Sequence, residues 1–224
     1  MEYFVELLAS FLAVMLVITL HEFAHAFVAY KCGDPTPKMA GRLSVNPVKH
    51  FDLVGIFAFA VVGFGWAKPV PVNPYNFKNQ KWGSFFTSIA GIAINLLFAF
   101  LFYPLVELTI IYIVPNFAGT YMAIFLIAIV SYTYAYSLSF SIFNLLPFYP
   151  LDGFRMIDSL QRRRNRFYLF LRNYGYYILL GMMFVHILSG YFYLFSYIDI
   201  LGYFMTVAMR FLGWPIVKFW GMFL

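Results

Sequence analysis

Cysteine and charged residues are scarce in this chain, and each shortage excludes a class of protein. Cys32 is the only cysteine among 224 residues, which excludes an intramolecular disulfide and a cysteine-rich metal site. Charged residues make up 11% of the chain, hydrophobic residues make up 63%, and the mean hydropathy is +0.79, which exclude an ordinary soluble domain. The composition predicts a polytopic membrane protein in which any metal has nitrogen and oxygen ligands.

Acidic residues are also few, with nine against fifteen basic residues, and the formal net charge is +6. A basic chain can bind nucleic acid, but the only dense basic run, from Arg162 to Arg166, lies between two hydrophobic segments. We interpret this run as a membrane-topology signal and expect no nucleic-acid partner.

Five hydrophobic segments are candidates for transmembrane helices. The last contains Asp199, Arg210 and Pro215, so it could be one tilted helix or two short pieces. The sequence therefore predicts an all-α polytopic membrane protein with about five or six transmembrane helices. The segments run from about Tyr3 to Tyr30, Ser84 to Val114, Thr120 to Leu146, Tyr174 to Leu188, and Phe192 to Phe219.

The basic residues concentrate in two loops, with seven between the first two segments and six after the third. Two spans separate these loops, so both lie on one side of the membrane, which the positive-inside rule makes the cytoplasmic side. The amino terminus is then outside. The first segment opens with Glu2 and Glu6, so we interpret it as a span and not as a cleavable signal peptide.

The loop between the first two segments is too apolar for a plain solvated connection. The stretch from Phe51 to Trp66 is nearly all apolar, yet it is short and glycine-rich, and an extra crossing would separate the two basic loops. We therefore predict a re-entrant segment. It leads into the stretch from Lys68 to Pro74, whose prolines favour extended backbone. Such an edge could capture an unwound peptide by strand addition, or the stretch could be a rigid linker.

The first segment contains the motif His-Glu-x-x-His, formed by His21, Glu22 and His25. On a helix, histidines four residues apart project from one face and can bind one metal ion, while the glutamate beside them can carry a proton. Ionisable groups at membrane depth cost roughly 2.5 to 3.5 kcal/mol each, so three together need a partner. We interpret the motif as a hydrolytic zinc site. The alternative is a pair of core histidines satisfied by their neighbours.

The position of His21 along the first helix sets the depth of this site. His21 lies about 18 residues beyond Tyr3, which is roughly 27 Å along a helix and close to the cytoplasmic end of a bilayer core. The site is therefore expected within the membrane and within reach of cytoplasmic water.

A catalytic zinc usually has a third protein ligand, and the best candidate is Asp152. Asp152 directly follows the third segment, where Pro147 and Pro150 interrupt the helix near its cytoplasmic end. The alternative role for Asp152 is a helix cap before Arg155. Asn144, on the same segment, could donate a hydrogen bond to a scissile carbonyl or simply join two helices.

Other possible ligands are less suitable by position. We place Glu107, His186 and Asp199 toward the outer side, and we expect Asp158 to pair with the nearby basic run. We interpret Asp34, Asp52 and His50 as solvated residues of the first cytoplasmic loop.

Together these motifs resemble those of the site-2 protease family of intramembrane zinc metalloproteases. The motif from His21 to His25 is similar to the zinc-binding helix of that family, and the stretch from Asn144 to Gly153 is similar to its Asn-x-x-Pro-x-x-Pro-Leu-Asp-Gly element. The stretches from Gly41 to Pro47 and from Gly65 to Pro74 are similar to two further family stretches. The resemblance covers about two thirds of the chain, from the first helix to Gly153.

The resemblance implies one zinc ion per chain held by His21, His25 and Asp152, with Glu22 as general base and Asn144 near the substrate carbonyl. It implies cleavage of a peptide bond within or near a transmembrane helix of a membrane-bound regulatory protein, with the bilayer as surroundings. We expect a catalytic membrane core over residues 1–153, followed over residues 154–224 by a basic cytoplasmic loop and carboxyl-terminal transmembrane helices. We recognise no PDZ-like segment within the chain and no cystathionine-synthase-type domain after the last span, so we expect a compact catalytic core.

Three other interpretations remain open on sequence grounds. A multi-pass metal-ion transporter could use the same histidines and aspartate as a transit site. A structural membrane scaffold would carry no stoichiometric zinc. A membrane metalloprotease acting on prenylated carboxyl termini would leave the element from Asn144 to Gly153 without a role. The sequence does not indicate an oligomeric state.

Overall fold

The computed structural model describes residues 1–62, 67–161 and 165–224, and most of this part of the chain is helical. The predicted all-α membrane fold class is confirmed. The helices, in chain order, are α1 (Glu2–Lys31), α2 (Thr36–Met39), α3 (Leu53–Val62), α4 (Gln80–Leu108), α5 (Val114–Phe117), α6 (Tyr121–Asn144), α7 (Asp152–Leu160), α8 (Arg166–Ser189), α9 (Tyr193–Ser196) and α10 (Ile200–Trp220).

Four stretches of the described chain are long and apolar enough to cross a membrane, namely α1, α4 with its continuation to Phe117, α6 and α10. The predicted segment from Tyr174 to Leu188 lies within α8, which is 24 residues long but also contains Arg172, Asn173 and several tyrosines. These side chains lower its hydropathy below that of the other four, so the expected count of five or six spans is not confirmed. The last predicted segment is one helix, α10, preceded by the single turn of α9.

Helices α1, α4 and α6 pack tightly against one another through small side chains. Ala9 and Ala13 of α1, Ala99 of α4, and Ser137 and Ser141 of α6 are completely buried. Small residues let helix backbones approach closely in a membrane, where no hydrophobic force draws the helices together. The three-helix core therefore has little freedom to shift, and it provides a rigid frame for side chains that point into it.

Helices α8 and α10 pack against one side of this core. Leu179 of α8 and Leu201 of α10 form an apolar cluster with Leu146, just after α6. At the far end of α10, the Trp220 indole donates a hydrogen bond to the Phe100 carbonyl of α4 at 2.9 Å. Asp199 caps α10 by accepting from the Gly202 amide at 2.8 Å.

The connection from α1 to α4 combines a short apolar helix with extended backbone. Asp52 caps α3, whose Leu53 and Phe57 are largely exposed. After α3, Ala67 pairs with Phe51 as an isolated antiparallel bridge, and the chain continues without helix to Asn73. The predicted extended stretch is therefore present. Gly65 and Trp66 lie outside the described residues, as do Arg162, Arg163 and Arg164 of the basic run.

The connection from α6 to α7 places the first residue of α7, Asp152, against the three-helix core. Helix α6 ends at Asn144, and α7 begins at Asp152 after the two predicted helix-interrupting prolines. A side chain at Gly153 would collide with the backbone carbonyl of Leu145, so glycine permits the close approach of α7 to the end of α6. The carboxyl end of α1, the start of α4 and the end of α6 thus meet at one end of the bundle.

Candidate active site

The two motif histidines point from α1 to the same place. His21 Nε2 and His25 Nε2 lie 3.0 Å apart, as expected for residues one helical turn apart. Asp152, the first residue of α7, places its Oδ2 3.2 Å from His21 Nε2 and 3.0 Å from His25 Nε2. All three residues are buried. They form a possible metal site in which each residue offers one ligand atom.

The spacing and chemistry of these atoms suit zinc. A tetrahedral zinc site with bonds of about 2.0–2.1 Å has ligand atoms about 3.3–3.4 Å apart, so a cation requires only a slight outward shift from the observed 3.0–3.2 Å. Asp152 Oδ2 is buried and accepts no hydrogen bond within the described chain. Two imidazoles and one carboxylate form a ligand set typical of hydrolytic zinc.

The surroundings of Asp152 also suit a ligand, because its Oδ2 faces the two imidazole Nε2 atoms. Arg155 lies farther away, with Nη1 3.9 Å from Asp152 Oδ1, and its side chain is half exposed. The carboxylate therefore faces the imidazoles and is not simply a cap paired with Arg155.

Helix α4 contacts the Nδ1 atoms of both imidazoles and thereby orients the two rings. The Thr87 carbonyl accepts from His25 Nδ1 at 2.7 Å, which leaves the Nε2 lone pair of His25 free for a cation. The side-chain amide of Asn95 lies 3.1 Å from His21 Nδ1. Binding of metal through Nε2 requires a proton on Nδ1, and the Asn95 oxygen can accept a hydrogen bond from Nδ1–H after the side-chain amide turns by 180°.

Gly91 completes the wall of the site on α4. A Cβ at this position would lie 2.5 Å from His21 Cε1 and from His25 Nε2, so only glycine leaves room for the ring pair. Gly91, Thr87 and Asn95 were not among the site residues predicted from the sequence. Asn95 was detectable in principle, because a polar side chain in the middle of an apolar span is usually functional.

Glu22 lies on α1 beside the histidines and is held by the extended connection. Its Oε2 accepts a hydrogen bond from the Val70 amide at 3.1 Å. Its side chain is half-buried, in contrast to the fully enclosed His21 and His25. Its other oxygen, Oε1, makes no hydrogen bond within the described chain.

The side chain of Asn144 forms its hydrogen bond within α6. Its side-chain amide donates to the Phe140 carbonyl of its own helix at 3.0 Å. Among the described residues, it makes no hydrogen bond to His21, His25 or Asp152. The structure therefore brings the three proposed metal ligands together, and Asn144 is not hydrogen-bonded to any of them within the described chain.

Two residues expected to be solvated are completely buried, namely Asp34 and His50. Asp34 accepts hydrogen bonds from neighbouring loop residues, and His50 Nε2 lies 2.6 Å from the Ser44 carbonyl. Their interpretation as solvated residues was wrong because the loop folds against the end of the bundle. Asp158 accepts a hydrogen bond from Tyr168. Its predicted pairing with the basic run involves Arg162, Arg163 and Arg164, which lie outside the described residues.

Comparison with known proteins identifies the family. Two ranges, residues 9–111 and 107–188, match the model of peptidase family M50, and together they cover most of the chain. The chain belongs to this family. It is 42% identical over 155 residues to "Putative zinc metalloprotease YwhC" of Bacillus subtilis, an alignment that covers 68% of this chain and 70% of that protein. This confirms the resemblance to the site-2 protease family.

A second relative is more distant. The chain is 29% identical over 151 residues to "Putative zinc metalloprotease Rip2" of Mycolicibacterium smegmatis, covering 64% of this chain and 54% of that protein. No solved structure matches the chain significantly. Family membership makes this M50 chain a membrane-embedded metalloprotease with zinc as its cofactor, so the predicted enzyme class and metal are confirmed.

Proposed function

We propose that this M50 chain is an intramembrane protease that hydrolyses a peptide bond within or near a transmembrane helix of a membrane-bound regulatory protein. His21, His25 and Asp152 would hold the zinc ion. The observation that carries the proposal is the approach of their three ligand atoms to 3.0–3.2 Å of one another in a buried site among apolar helices. Bound zinc supplies a Lewis acid that makes water a nucleophile near neutral pH and polarises a carbonyl.

Glu22 is the general base in this mechanism. Its Oε2 is held by the Val70 amide, so Oε1 is the oxygen that accepts a proton from the attacking water. The same oxygen then releases the proton to the amine nitrogen of the leaving peptide. Because Glu22 adjoins His21 in the chain, the proton carrier stays beside the metal ligands throughout the reaction.

Asn144 would act on the substrate carbonyl. Its amide now donates to the Phe140 carbonyl, so this role needs a change of side-chain rotamer when substrate enters. An amide donor placed at the developing oxyanion stabilises the tetrahedral transition state. The alternative is that Asn144 only secures the end of α6.

The extended stretch from Ala67 to Asn73 would hold the substrate as an added strand. Pro69 and Pro71 have no amide hydrogen, and their carbonyls accept no hydrogen bond within the described residues. They can therefore accept from the amides of an unwound peptide. The stretch could instead be a rigid linker, in which case the substrate strand would not protect its own amides from exchange.

We place the zinc site toward the cytoplasmic side, with the amino terminus outside. Both basic loops adjoin the end of the bundle where α1, α4 and α6 meet, and the positive-inside rule makes such an end cytoplasmic. The catalytic core would comprise residues 1–153, and residues 154–224 would support it from one side.

The test is cleavage of a single-span membrane protein by the purified chain in lipid vesicles. We expect cleavage by the native chain, and loss of cleavage with zinc retained in Glu22→Gln. Glu6→Gln removes a carboxylate at the opposite end of α1 and should cleave normally. If Glu22→Gln instead retained cleavage, the general-base role would be wrong. Zinc uptake into vesicles without cleavage of any substrate would favour the transporter.

A further inference from the structure

Asp34 is a fully buried carboxylate that lies outside the candidate active site. Its Oδ2 accepts from the Asn73 amide at 2.7 Å, and its Oδ1 accepts from the Asn76 side chain at 2.8 Å. Oδ1 also accepts from the Thr36 amide at 3.0 Å and the Thr36 hydroxyl at 2.5 Å. A buried carboxylate with this many donors is strongly held, and two of its donors belong to the chain that leads away from the active site.

Three backbone amides of the extended stretch from Ala67 to Asn73 donate hydrogen bonds to other parts of the chain. Lys68 donates its amide to the His50 carbonyl at 2.9 Å, Val70 donates to Glu22 Oε2, and Asn73 donates to Asp34 Oδ2. Only Pro71 and Val72 separate the attachment to Glu22 from the attachment to Asp34. Proline fixes one backbone dihedral, so a displacement at Asn73 is transmitted to Val70 with little loss.

Asp34 and Glu22 are also connected through α1. Asp34 follows the end of α1 by a tight turn in which Gly33 has a φ of +112° and the Lys78 amide donates to the Cys32 carbonyl at 3.0 Å. The helix that carries Glu22 and the stretch that holds Glu22 are thus joined at two places, at Val70 and at Asp34. The hydrogen bond between Asn73 and Asp34 fixes the position of the extended stretch along the axis of α1.

We propose that Asp34 is a positioning residue for the general base, and that it acts by holding the extended stretch where the Val70 amide fixes Glu22 Oε2. This rests on the proposed role of Glu22. Asp34 does not touch the reacting atoms, so its effect is on the placement of Glu22 and not on the metal. Misplacement of a catalytic group by about 1 Å can cost on the order of 100-fold in rate.

The first variant is Asp34→Asn, which has the shape of aspartate but only one acceptor oxygen. Its amide would face either the Asn73 donor or the Thr36 and Asn76 donors. We expect kcat to fall about tenfold with KM changed less than about twofold and with zinc content unchanged. Asp52→Asn is the matched control, because Asp52 lies in the same loop, its side chain caps α3, and it makes no hydrogen bond to the described residues of the extended stretch.

Two further variants separate positioning from folding. Adding Asn76→Asp to Asp34→Asn exchanges donor and acceptor, so the pair can form again and kcat should recover at least partly. Val70→Pro removes the donor to Glu22 and should lower kcat in the same way. Because both changes act through one contact, Asp34→Asn should lower kcat no further in the Val70→Pro background.

The outcomes distinguish this proposal from the proposed function. Absence of cleavage by the native chain, or full activity of Glu22→Gln, would overturn the function and this inference with it. Native cleavage with an unchanged kcat in Asp34→Asn, or multiplicative losses in the double variant, would overturn this inference alone. If Asp34→Asn does not fold, Asn76→Ala removes one donor, and an unchanged kcat there would overturn it equally.

Discussion

The Thr87 carbonyl of α4 accepts a hydrogen bond from His25 Nδ1 of α1 at 2.7 Å, and this contact determines which nitrogen of His25 faces Asp152. A histidine in a metal site usually donates its second ring nitrogen to a fixed acceptor, which sets both tautomer and ring orientation. Here the acceptor is main chain within a helix, so it cannot be removed by a side-chain substitution. The neighbouring positions on α4 are therefore where the orientation of the site can be tested.

Gly91→Ala should weaken zinc binding without removing any ligand. The new Cβ would lie 2.5 Å from His21 Cε1 and from His25 Nε2, so the two rings must separate. Ring displacement of this kind should lower zinc affinity by at least roughly tenfold, as measured by metal analysis at buffered free zinc. Gly181→Ala is the control, because a Cβ there meets no atom within 4 Å.

Asn95 should matter through its oxygen and not through its size. Asn95→Leu leaves His21 Nδ1 without a partner and should lower zinc affinity by about 10- to 100-fold. Asn95→Asp keeps an acceptor for a protonated Nδ1 and should retain most of the affinity. The reverse order of these two variants would show that the amide nitrogen, and not the oxygen, serves His21.

The site residues that could be predicted from the sequence are those whose placement depends on local structure. His21 and His25 were predictable because helical periodicity places residues four apart on one face. Asp152 was a reasoned candidate because prolines interrupt the helix beside it. The role of Gly91 depends on how α4 packs against α1, which no local pattern reveals. The burial of Asp34 was equally unpredictable, because a polar loop residue has the same sequence pattern whether the loop is solvated or packed against the protein.

The position of α7 should affect the metal because α7 begins with Asp152. Phe154 of α7 stacks on Tyr168 of α8 with ring centroids 5.4 Å apart, and Tyr168 also donates to Asp158. We expect Tyr168→Ala to weaken zinc binding by loosening α7. Tyr168→Phe keeps the stacked ring and loses only the hydroxyl, which donates to Asp158 and accepts from Arg172. This loss should cost about 1 kcal/mol of stability with zinc retained.

The control for this prediction is Tyr177→Ala on the same helix, because Tyr177 is 69% exposed. Zinc affinity should be native in that variant. Equal zinc affinity in Tyr168→Ala and the native chain would mean that Asp152 keeps its place without support from α8.

The stability of the loop around Asp34 should depend on pH in a defined direction. Burial opposes ionisation, but hydrogen bonds from Asn76, Thr36 and Asn73 lower the pKa of Asp34 below its ordinary 3.8. A carboxyl whose pKa is lower in the folded state stabilises the fold above its unfolded pKa. That stabilisation decreases as the pH falls below about 4 and through the lowered folded-state pKa. Thermal unfolding in detergent should therefore show the native chain more stable than Asp34→Asn at pH 7, with the difference shrinking only at acid pH.

The comparison must be made as a difference between the two chains, because other carboxyl groups titrate in the same range. Asp34→Asn cannot lose a proton at this position, so subtracting its stability from that of the native chain isolates the contribution of the Asp34 carboxylate. A difference that stays constant from pH 7 to pH 3 would mean that the ionised form of Asp34 is not what the loop hydrogen bonds stabilise. In that case the attachment of the extended stretch would depend on shape alone, and the loss of kcat expected for Asp34→Asn should then be absent as well.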